Sequence, residues 1–234
     1  MPTLPDPDYM APVGSRKVSV EFNGRHWTLV VPGNDHIGAI VERTKAPYES
    51  DLLRFTCELL RADDLVVDVG ANIGNHSLCW AVSAGARVLS VEGNPVALAY
   101  LNHNVVLNDM SKRIEVAPVA LGAINGRAGV TSAVEGNLGA TGIVAHPGGS
   151  ISMRRLDDLL GVVVGGVKLL KIDVEGTEAQ VLSGAMVTLT ESHPLIIAEA
   201  ATEDEVWAID DILREYGYQR EPANLAATPT YLWR

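Results

Sequence analysis

The chain has few cysteines, few basic residues and no long apolar run, and each shortage excludes a class of protein. Its 234 residues include two cysteines, Cys57 and Cys79, which are too few for a disulfide framework and lack the spacing of metal ligands. Both lie in apolar, helix-like segments, so we expect free thiols buried in a core. Free thiols are typical of reducing compartments, and the sequence therefore predicts a cytoplasmic protein.

Positive charge is also scarce. The chain has 18 Lys and Arg residues against 29 Asp and Glu residues, which gives a formal net charge of −11. Binding to nucleic acids or to anionic membrane surfaces requires clustered Lys and Arg side chains. We therefore expect neither a nucleic-acid partner nor a membrane partner.

Long hydrophobic segments are absent as well. The most apolar stretch, residues 159–167, is far shorter than the roughly 20 residues of a membrane-spanning helix. The first 12 residues contain four prolines and no apolar core, so we do not expect a signal peptide. Since 47% of the chain is hydrophobic, it can form a folded core. The expected division is an N-terminal extension at 1–47 and one domain at 48–234.

The extension contains a hairpin signal. Two alternating apolar runs, 17–22 and 26–31, flank the dipeptide Asn23-Gly24, which favours tight turns between antiparallel strands. We therefore predict a β-hairpin there, preceded by a flexible lead-in at 1–14.

From residue 65 onward, short apolar strands alternate with helical segments. This alternation predicts an α/β fold with a mostly parallel sheet and helices on both faces. The predicted strands cover 65–69, 87–91, 114–119, 167–172 and 195–199, with two final strands at 217–221 and 230–234, and the predicted helices cover 75–84, 95–107, 177–189 and 203–216.

One segment, about 129–155, departs from the alternation because it is rich in Gly, Ser, Thr and Val and has no helical pattern. We expect two or three extra strands inserted after the third strand of the sheet. The insertion either shapes a substrate pocket or is a plain connector, and the sequence leaves both interpretations open.

The clearest local motif is VVDVGANIGNHSL, which starts at Val66. A strand ends near Asp68, a turn follows that contains Gly70 and Gly74, and a helix starts near Asn75. The glycines allow a ligand to approach the backbone closely, and the helix start presents free N–H groups. In open α/β sheets, ligands bind at the carboxyl ends of the strands, where this turn lies.

An acidic residue follows at the end of the next strand. Glu92 lies 24 positions after Asp68, where a carboxylate can accept hydrogen bonds from both hydroxyls of a ribose. Taken alone, Glu92 could be a surface charge at a strand end. Together with the upstream turn, it favours a nucleoside-binding site.

The spacing of the glycines restricts the class of nucleoside ligand that the turn can bind. A dinucleotide fingerprint has glycine where this chain has Asn72, and no Lys-Ser/Thr pair of a phosphate-binding loop follows. Asp68 would repel a phosphate but suits an ammonium group. S-adenosylmethionine carries an ammonium, a sulfonium and a ribose diol, and it fits this pattern of charges.

Beyond these local signals, the sequence resembles S-adenosylmethionine-dependent methyltransferases of the FkbM type. The likeness covers most of 48–218 and follows the family's order. The residues that carry it are DVGANIGNHSL from Asp68, VEGNP from Val91, NHNVVLN from Asn102, APVALG from Ala117, NLG from Asn137, RRLDDLL from Arg154, KIDVEGTEAQVLSGA from Lys171 and HPLIIAEA from His193.

The resemblance implies a Rossmann-like class I methyltransferase fold, with a mostly parallel seven-stranded sheet and a terminal antiparallel strand. It also implies methyl transfer to a hydroxyl of a small acceptor, such as a sugar or a scaffold in natural-product biosynthesis.

The resemblance also assigns cofactor contacts. Asp68, Gly70 and Asn72 are expected around the methionine moiety, and Glu92 at the ribose. Ala120 and Leu121 would flank the adenine, or would be plain core residues. The remaining expected cofactor residues are Gly74, Asn75, Gly93, Asp173 and Glu49. Gly93 stands where the family usually has Pro, and Glu49 belongs to a helix before the first strand of the sheet.

Two residues are candidates for catalysis. Asp173, at a strand end, could act as a base, contact the cofactor, bind a hard cation such as Mg²⁺, or simply cap the helix that starts near Thr177. His76 could be a general base or a polar residue at a helix start. Glu175 and Glu178 are expected to stabilise the helix dipole, and no metal-ligand set is predicted.

Two other functions remain as alternatives at this stage. One is an NAD(P)-dependent oxidoreductase, against which the missing middle glycine counts. The other is a non-catalytic cofactor-binding module with the same fold. The sequence leaves open the identity of the acceptor and whether the chain forms a homo-oligomer.

Overall fold

The computed structural model describes residues 11–134, 136–161, 166–222, 224, 226 and 228–234, so most of the predicted lead-in lies outside it. No helix within these ranges has both the length and the apolar composition that crossing a bilayer demands.

The N-terminal hairpin consists of β1 (Ser15–Phe22) and β2 (Arg25–Pro32), which pair in antiparallel register. Asn23 and Gly24 form the turn with φ values of 50° and 70°. Positive φ at both central residues matches the right-handed twist of the strands, which is why this dipeptide predicted the hairpin correctly.

The second edge of β2 is bound to a helix of the main domain. In α4 (Pro95–Leu107), the amide of Asn104 accepts from the N–H of Val30 at 2.7 Å and donates to the carbonyl of Val30 at 2.9 Å. Asn108, just after α4, makes the same pair of bonds with Thr28. These amides satisfy an otherwise open strand edge and dock the hairpin onto the core.

The central sheet has six strands in the described residues, in the order β12-β11-β10-β3-β4-β5. Five are parallel, and β12 at the edge is antiparallel to β11. The strands are β3 (Leu65–Val69), β4 (Arg87–Val91), β5 (Ile114–Ala117), β10 (Leu169–Ile172), β11 (Leu195–Glu199) and β12 (Thr230–Trp233).

The expected count of seven strands is therefore wrong. The segment predicted as a strand at 217–221 forms only a bridge between Arg220 and Trp233. Backbone hydrogen bonds of Gln219 with Arg234 and of Glu221 with Leu232 join this short segment to β12 and the residue after it. The buried side chain of Tyr218 adds a hydrogen bond to the carbonyl of Pro194.

Helices cover both faces of the sheet and bury a separate apolar cluster on each. The predicted helix at 177–189 is broken in two at Gly184 and Ala185, which leave helical geometry with ψ values of 5° and 19°. The carbonyl of Gly184 accepts from the backbone N–H of Asp157 instead of continuing the helix. A Cβ on Gly184 would lie 2.2 Å from the carbonyl oxygen of Gly122, so this close packing requires glycine. The remaining helices are α1 (His36–Thr44), α2 (Ser50–Leu59), α3 (Asn75–Cys79, continued by a π-helical turn to Ala84), α5 (Leu156–Leu160), α6 (Glu178–Ser183), α7 (Met186–Glu191) and α8 (Glu203–Arg214).

The Gly-rich insertion forms a second, four-stranded sheet in the order β6-β9-β7-β8. Its long antiparallel pair follows the end of β5 and so lies beside the carboxyl edge of the central sheet. Its strands are β6 (Ala120–Leu121), β7 (Gly126–Val134), β8 (Asn137–Ala145) and β9 (Ile151–Arg154).

Candidate functional site

Glu92 connects the Gly-rich turn after β3 to the end of β4. Its Oε2 accepts from the backbone N–H of Asn72 at 2.8 Å, and its Oε1 accepts from that of Asn94 at 2.6 Å. Only 7% of Glu92 is exposed. Burial raises the pKa of this carboxyl, and the two backbone N–H groups partly offset that rise.

The turn itself needs glycine at position 70. Gly70 has φ 78°, and a Cβ there would lie 1.8 Å from the carbonyl oxygen of Asp173. The ends of β3 and β10 thus approach each other closely, and the bare backbone of Gly70 forms part of the wall of two cavities.

The first cavity, of about 540 Å³, lies at the carboxyl ends of β3, β4 and β5. Its wall is largely apolar, with Glu92 as a buried carboxylate. Ala120, Leu121 and Gly93 all line it, so the pair after β5 faces the cavity instead of serving only as core. A Cβ on Gly93 would meet Ile143 at 3.1 Å and Ala120 at 3.3 Å, so the glycine keeps this wall open.

The insertion supplies another wall of the same cavity. Leu138, Gly139, Thr141 and Ile143 of β8 line it opposite the sheet. Of the two interpretations of the insertion, the structure therefore supports the one in which it shapes a pocket.

A second cavity, of about 530 Å³, adjoins the first. Its wall is polar and acidic, and its described lining residues include no Lys or Arg. Tyr48, Glu49 and Glu199 are among them. The two cavities share Gly70, Asn72, Gly139, Asp173 and Glu175.

Asp68 does not face either cavity. Its side chain is fully buried, Ser77 donates a hydrogen bond to Oδ2, and Oδ1 lies 3.7 Å from Lys171 Nζ. Lys171 and Asp68 are register partners in β10 and β3, which explains their approach. Lys171 is thus the cation that faces this charge in the structure, and the expected contact between Asp68 and a cofactor ammonium stays a prediction.

Lys171 is the residue that the sequence analysis missed. Burial alone would lower its pKa, but Asp173 and Asp68 raise it above the ordinary value, so the ammonium is permanent. A lysine inside a strand covered on both faces was the available signal, because a buried cation requires an anionic partner.

Asp173 lies between Lys171 and Glu199. Its Oδ2 accepts from Lys171 Nζ at 2.9 Å. Burial opposes ionisation, but Lys171 and a hydrogen bond with Glu199 lower the pKa of Asp173 to about 2. Burial and the Asp173 carboxylate raise the pKa of Glu199 to about 9, so Glu199 holds a proton and donates it towards Asp173. The expected alternative of a helix cap is wrong, since α6 has no side-chain cap.

Asp173, Glu175 and Glu199 place carboxylate oxygens within 4.8 Å of one another. The proton held between Asp173 and Glu199 accounts for the close approach of that pair. A hard cation bound by the three carboxylates would compensate the same charges, so the cluster is compatible with either a shared proton or a metal ion.

His76 lies behind Glu49. Its Nε2 is 3.0 Å from Glu49 Oε2, and its ring packs against Trp80 at a centroid distance of 5.6 Å. His76 is 8% exposed and is not among the lining residues, whereas Glu49 lines the second cavity. A direct role for His76 as the base is therefore not supported by its position.

Two further expected cofactor residues have internal roles. The side-chain amide of Asn75 accepts from the backbone N–H of Tyr48 at 2.9 Å and donates to its carbonyl at 3.1 Å. Gly74, with φ 89°, is packed so that a Cβ would lie 2.8 Å from Leu101. Neither residue is part of the wall of these two cavities, and both hold the turn and the loop before α2 in place. Their expected contact with a cofactor stays a prediction.

The acids before and within α6 also differ from expectation. Glu178 folds back, and its Oε1 accepts from the N–H groups of Val174 and Gly176. It thereby closes the loop after β10 rather than only balancing the helix dipole. Glu175 precedes the helix, is exposed and lies at the cavity wall.

The first cavity fits the adenosyl part of S-adenosylmethionine. Glu92 presents a buried acceptor for a ribose diol, and apolar residues can enclose an adenine. Asn72 Oδ1 is buried without a hydrogen-bond partner among the described residues, and Asn72 lines both cavities. A polar ligand at the shared wall would satisfy that atom.

Comparison with known proteins gives consistent matches. A family model described as the methyltransferase FkbM domain matches residues 68–220. The hexuronic acid methyltransferase AglP of Haloferax volcanii is 31% identical over 156 residues, which are 64% of this chain and 62% of that protein. The chain spans less than two thirds of the length of the curated relatives it matches.

Solved structures share the fold. The methyltransferase FkbM from Methylobacillus flagellatus aligns with a TM-score of 0.57 and 22% identity, over 80% of this chain and 47% of that one. Fibrillarin from Aeropyrum pernix, in complex with S-adenosyl-L-methionine, aligns with a TM-score of 0.51 and 12% identity, over 97% and 84% of the two chains.

Proposed function

The chain belongs to the FkbM methyltransferase family, and on that premise we propose that it transfers a methyl group from S-adenosylmethionine to a hydroxyl of a small metabolite. The family resemblance and the class I methyltransferase fold expected from the sequence are confirmed. The strand count remains the exception described above.

One observation carries the proposal: the two cavities adjoin, and they share a wall at Gly70, Asn72 and Asp173. A cavity that combines apolar residues with a buried carboxylate suits the donor. An adjoining polar cavity suits a hydroxylated acceptor. Two bound reactants would meet at the shared wall, and such proximity supplies much of the rate of a displacement.

Each wall of the first cavity has a part in holding the donor. Glu92 would accept hydrogen bonds from the ribose hydroxyls, and Ala120, Leu121 and Ile143 would enclose the adenine. Gly70 and Asn72 would contact the methionine moiety. When bound, S-adenosylmethionine supplies a methyl group activated by a positively charged sulfur.

The second cavity is proposed to hold the acceptor. Tyr48, Asn137 and Thr228 offer hydroxyl and amide groups that can bind the hydroxyls of a sugar or of a natural-product scaffold. The name of the Haloferax volcanii relative also points to a sugar-like acceptor. A cytoplasmic location remains part of the proposal and is supported by the free thiols of Cys57 and Cys79. The acidic net charge supports the proposal that neither nucleic acids nor membranes are partners.

Calorimetry with S-adenosylhomocysteine tests the donor site. We expect one site per chain, and no binding at millimolar ligand would refute the proposal. Enhancement of NADH fluorescence by the protein would instead favour the oxidoreductase.

Acceptors are tested by incubating the protein with S-adenosylmethionine and a panel of neutral sugars, amino sugars, hexuronic acids and hydroxylated aromatic scaffolds. The expected product carries one added methyl group by mass spectrometry and survives treatment with mild base, because an O-methyl ether is stable there and a methyl ester is hydrolysed. Parallel reactions with Mg²⁺ and with a chelator decide whether a metal takes part. Tight cofactor binding without any product would favour the non-catalytic module.

A further inference from the structure

Glu49 occupies an unusual position at the second cavity. It immediately precedes α2 with φ 57° and ψ 45°, and yet its side chain makes no capping hydrogen bond. A non-glycine residue in this left-handed region is strained and persists only where its surroundings compensate. The carboxylate instead turns inward, 6% exposed, to His76 and the cavity.

The other titratable groups of this cavity are poorly suited to accept a proton at neutral pH. Lys171 overcomes the effect of burial and lowers the pKa of Asp173 to about 2. Burial and Asp173 raise the pKa of Glu199 to about 9, so it is already protonated. Burial and the carboxylates of Glu49 and Asp173 raise the pKa of Tyr48 to about 12, so its hydroxyl keeps its proton.

The two remaining titratable residues lie less favourably. His36 and Glu175 also line this cavity, but both are exposed to solvent. The Glu49 carboxylate is buried and is held by His76, so it is better oriented for proton transfer than the side chain of His36 or of Glu175.

We propose that Glu49 is the general base of the methyl transfer and that His76 is its positioning residue. This assignment rests on the proposed function and replaces the expected bases Asp173 and His76. In the tautomer with its proton on Nε2, His76 donates to Glu49 Oε2 and orients the carboxylate.

The acceptor oxygen forms a bond to the methyl carbon while the carbon–sulfur bond breaks, and the electron pair of that bond remains on sulfur. The hydroxyl proton passes to the Glu49 carboxylate. Release of that proton to solvent restores the base for the next turnover.

The test compares Glu49→Gln, His76→Asn and a control, Glu58→Gln, which changes an exposed glutamate of the same helix. Binding of S-adenosylhomocysteine is measured by calorimetry, and kcat and KM are measured with an acceptor from the panel. We expect Glu49→Gln to lower kcat by about 10²–10⁴-fold while the dissociation constant of S-adenosylhomocysteine changes by less than about threefold. Glu58→Gln should resemble the unmodified protein.

The positioning role of His76 has its own readout. His76→Asn should lower kcat by about tenfold and leave KM unchanged, because the base is present but less well oriented. Glu49→Asp, which keeps a carboxylate, should recover part of the activity lost in Glu49→Gln and guards against a folding defect.

Two results would overturn the assignment. One is a normal kcat for Glu49→Gln. The other is loss of S-adenosylhomocysteine binding by that variant with its melting temperature intact, since Glu49 would then be a cofactor contact. Failure of the unmodified protein to bind S-adenosylhomocysteine would count against the proposed function itself and is recognised separately.

Discussion

The backbone N–H of Asn72 donates to Glu92 Oε2 at 2.8 Å, so the Gly-rich turn and the end of the next strand form one unit. The same carboxylate accepts from Asn94. Because Glu92 organises both segments and also faces the first cavity, ligand binding and the geometry of the turn are expected to depend on the same side chain.

Replacing Glu92 by alanine is expected to weaken S-adenosylhomocysteine binding by about 1–3 kcal/mol, because the ribose hydroxyls lose a buried acceptor. Calorimetry at neutral pH measures the change. Glu115→Ala, an exposed glutamate in the neighbouring strand β5, is the control and should bind normally. Equal affinities for both variants would contradict the ribose role.

Gly70→Ala is expected to lower the free energy of unfolding by about 2–5 kcal/mol, from the left-handed backbone and from overlap with the Asp173 carbonyl. Gly217→Ala separates the two causes, since Gly217 has φ 85° and open space around its Cβ. This control should lose only about 1–2 kcal/mol. Urea unfolding measures the free energy of unfolding of both variants. Similar losses in the two variants would show that the close approach of β3 and β10 does not add to the cost of the substitution at Gly70.

The shifted pKa values of Asp173 and Glu199 predict that the stability of the protein depends on pH. The pKa of Glu199 rises from 4.5 in the unfolded chain to about 9 in the folded protein, so its contribution is complete below pH 4.5 and is lost as pH rises towards 9. The pKa of Asp173 falls to about 2, so its contribution persists across this range and is lost only in strong acid. Melting temperatures from pH 5 to 9 should therefore decline.

Glu199→Gln removes the titrating group of that pair while keeping a hydrogen-bond donor to Asp173. The variant should show a flatter pH profile than the unmodified protein and a higher relative stability at pH 9. Glu215→Gln, an exposed site, should leave the profile unchanged. An unaltered slope in Glu199→Gln would refute the shared proton.

Ile143→Ala is expected to weaken S-adenosylhomocysteine binding by about 1 kcal/mol, or roughly fivefold, because part of the apolar wall from the insertion is removed. Val144→Ala, on the opposite and exposed face of the same strand, is the matched control. Calorimetry on both variants decides whether the insertion contacts the ligand. Equal affinities would show that it does not.

Short sequence motifs predicted a structural feature correctly where neighbouring residues alone determine that feature. Asn23-Gly24 specified the hairpin, and the strand–turn–helix motif placed Gly70, Asn72 and Glu92 at one edge of the sheet. Parallel strands present their carboxyl ends together, so residues at those ends converge without further information. The helix break at Gly184 escaped prediction because the groups that Gly184 contacts there, Gly122 and the backbone N–H of Asp157, are distant in sequence.

The chain by itself determined the alternation of strands and helices, the family, and the turn that faces the ligand, because these follow from periodicity and short motifs. Only the tertiary structure decided which acids face the cavities. The register of β3 and β10 pairs Asp68 with Lys171, and packing places Glu49 in front of His76. Side-chain direction and charge compensation depend on contacts between segments far apart in sequence, and periodicity carries no information about them.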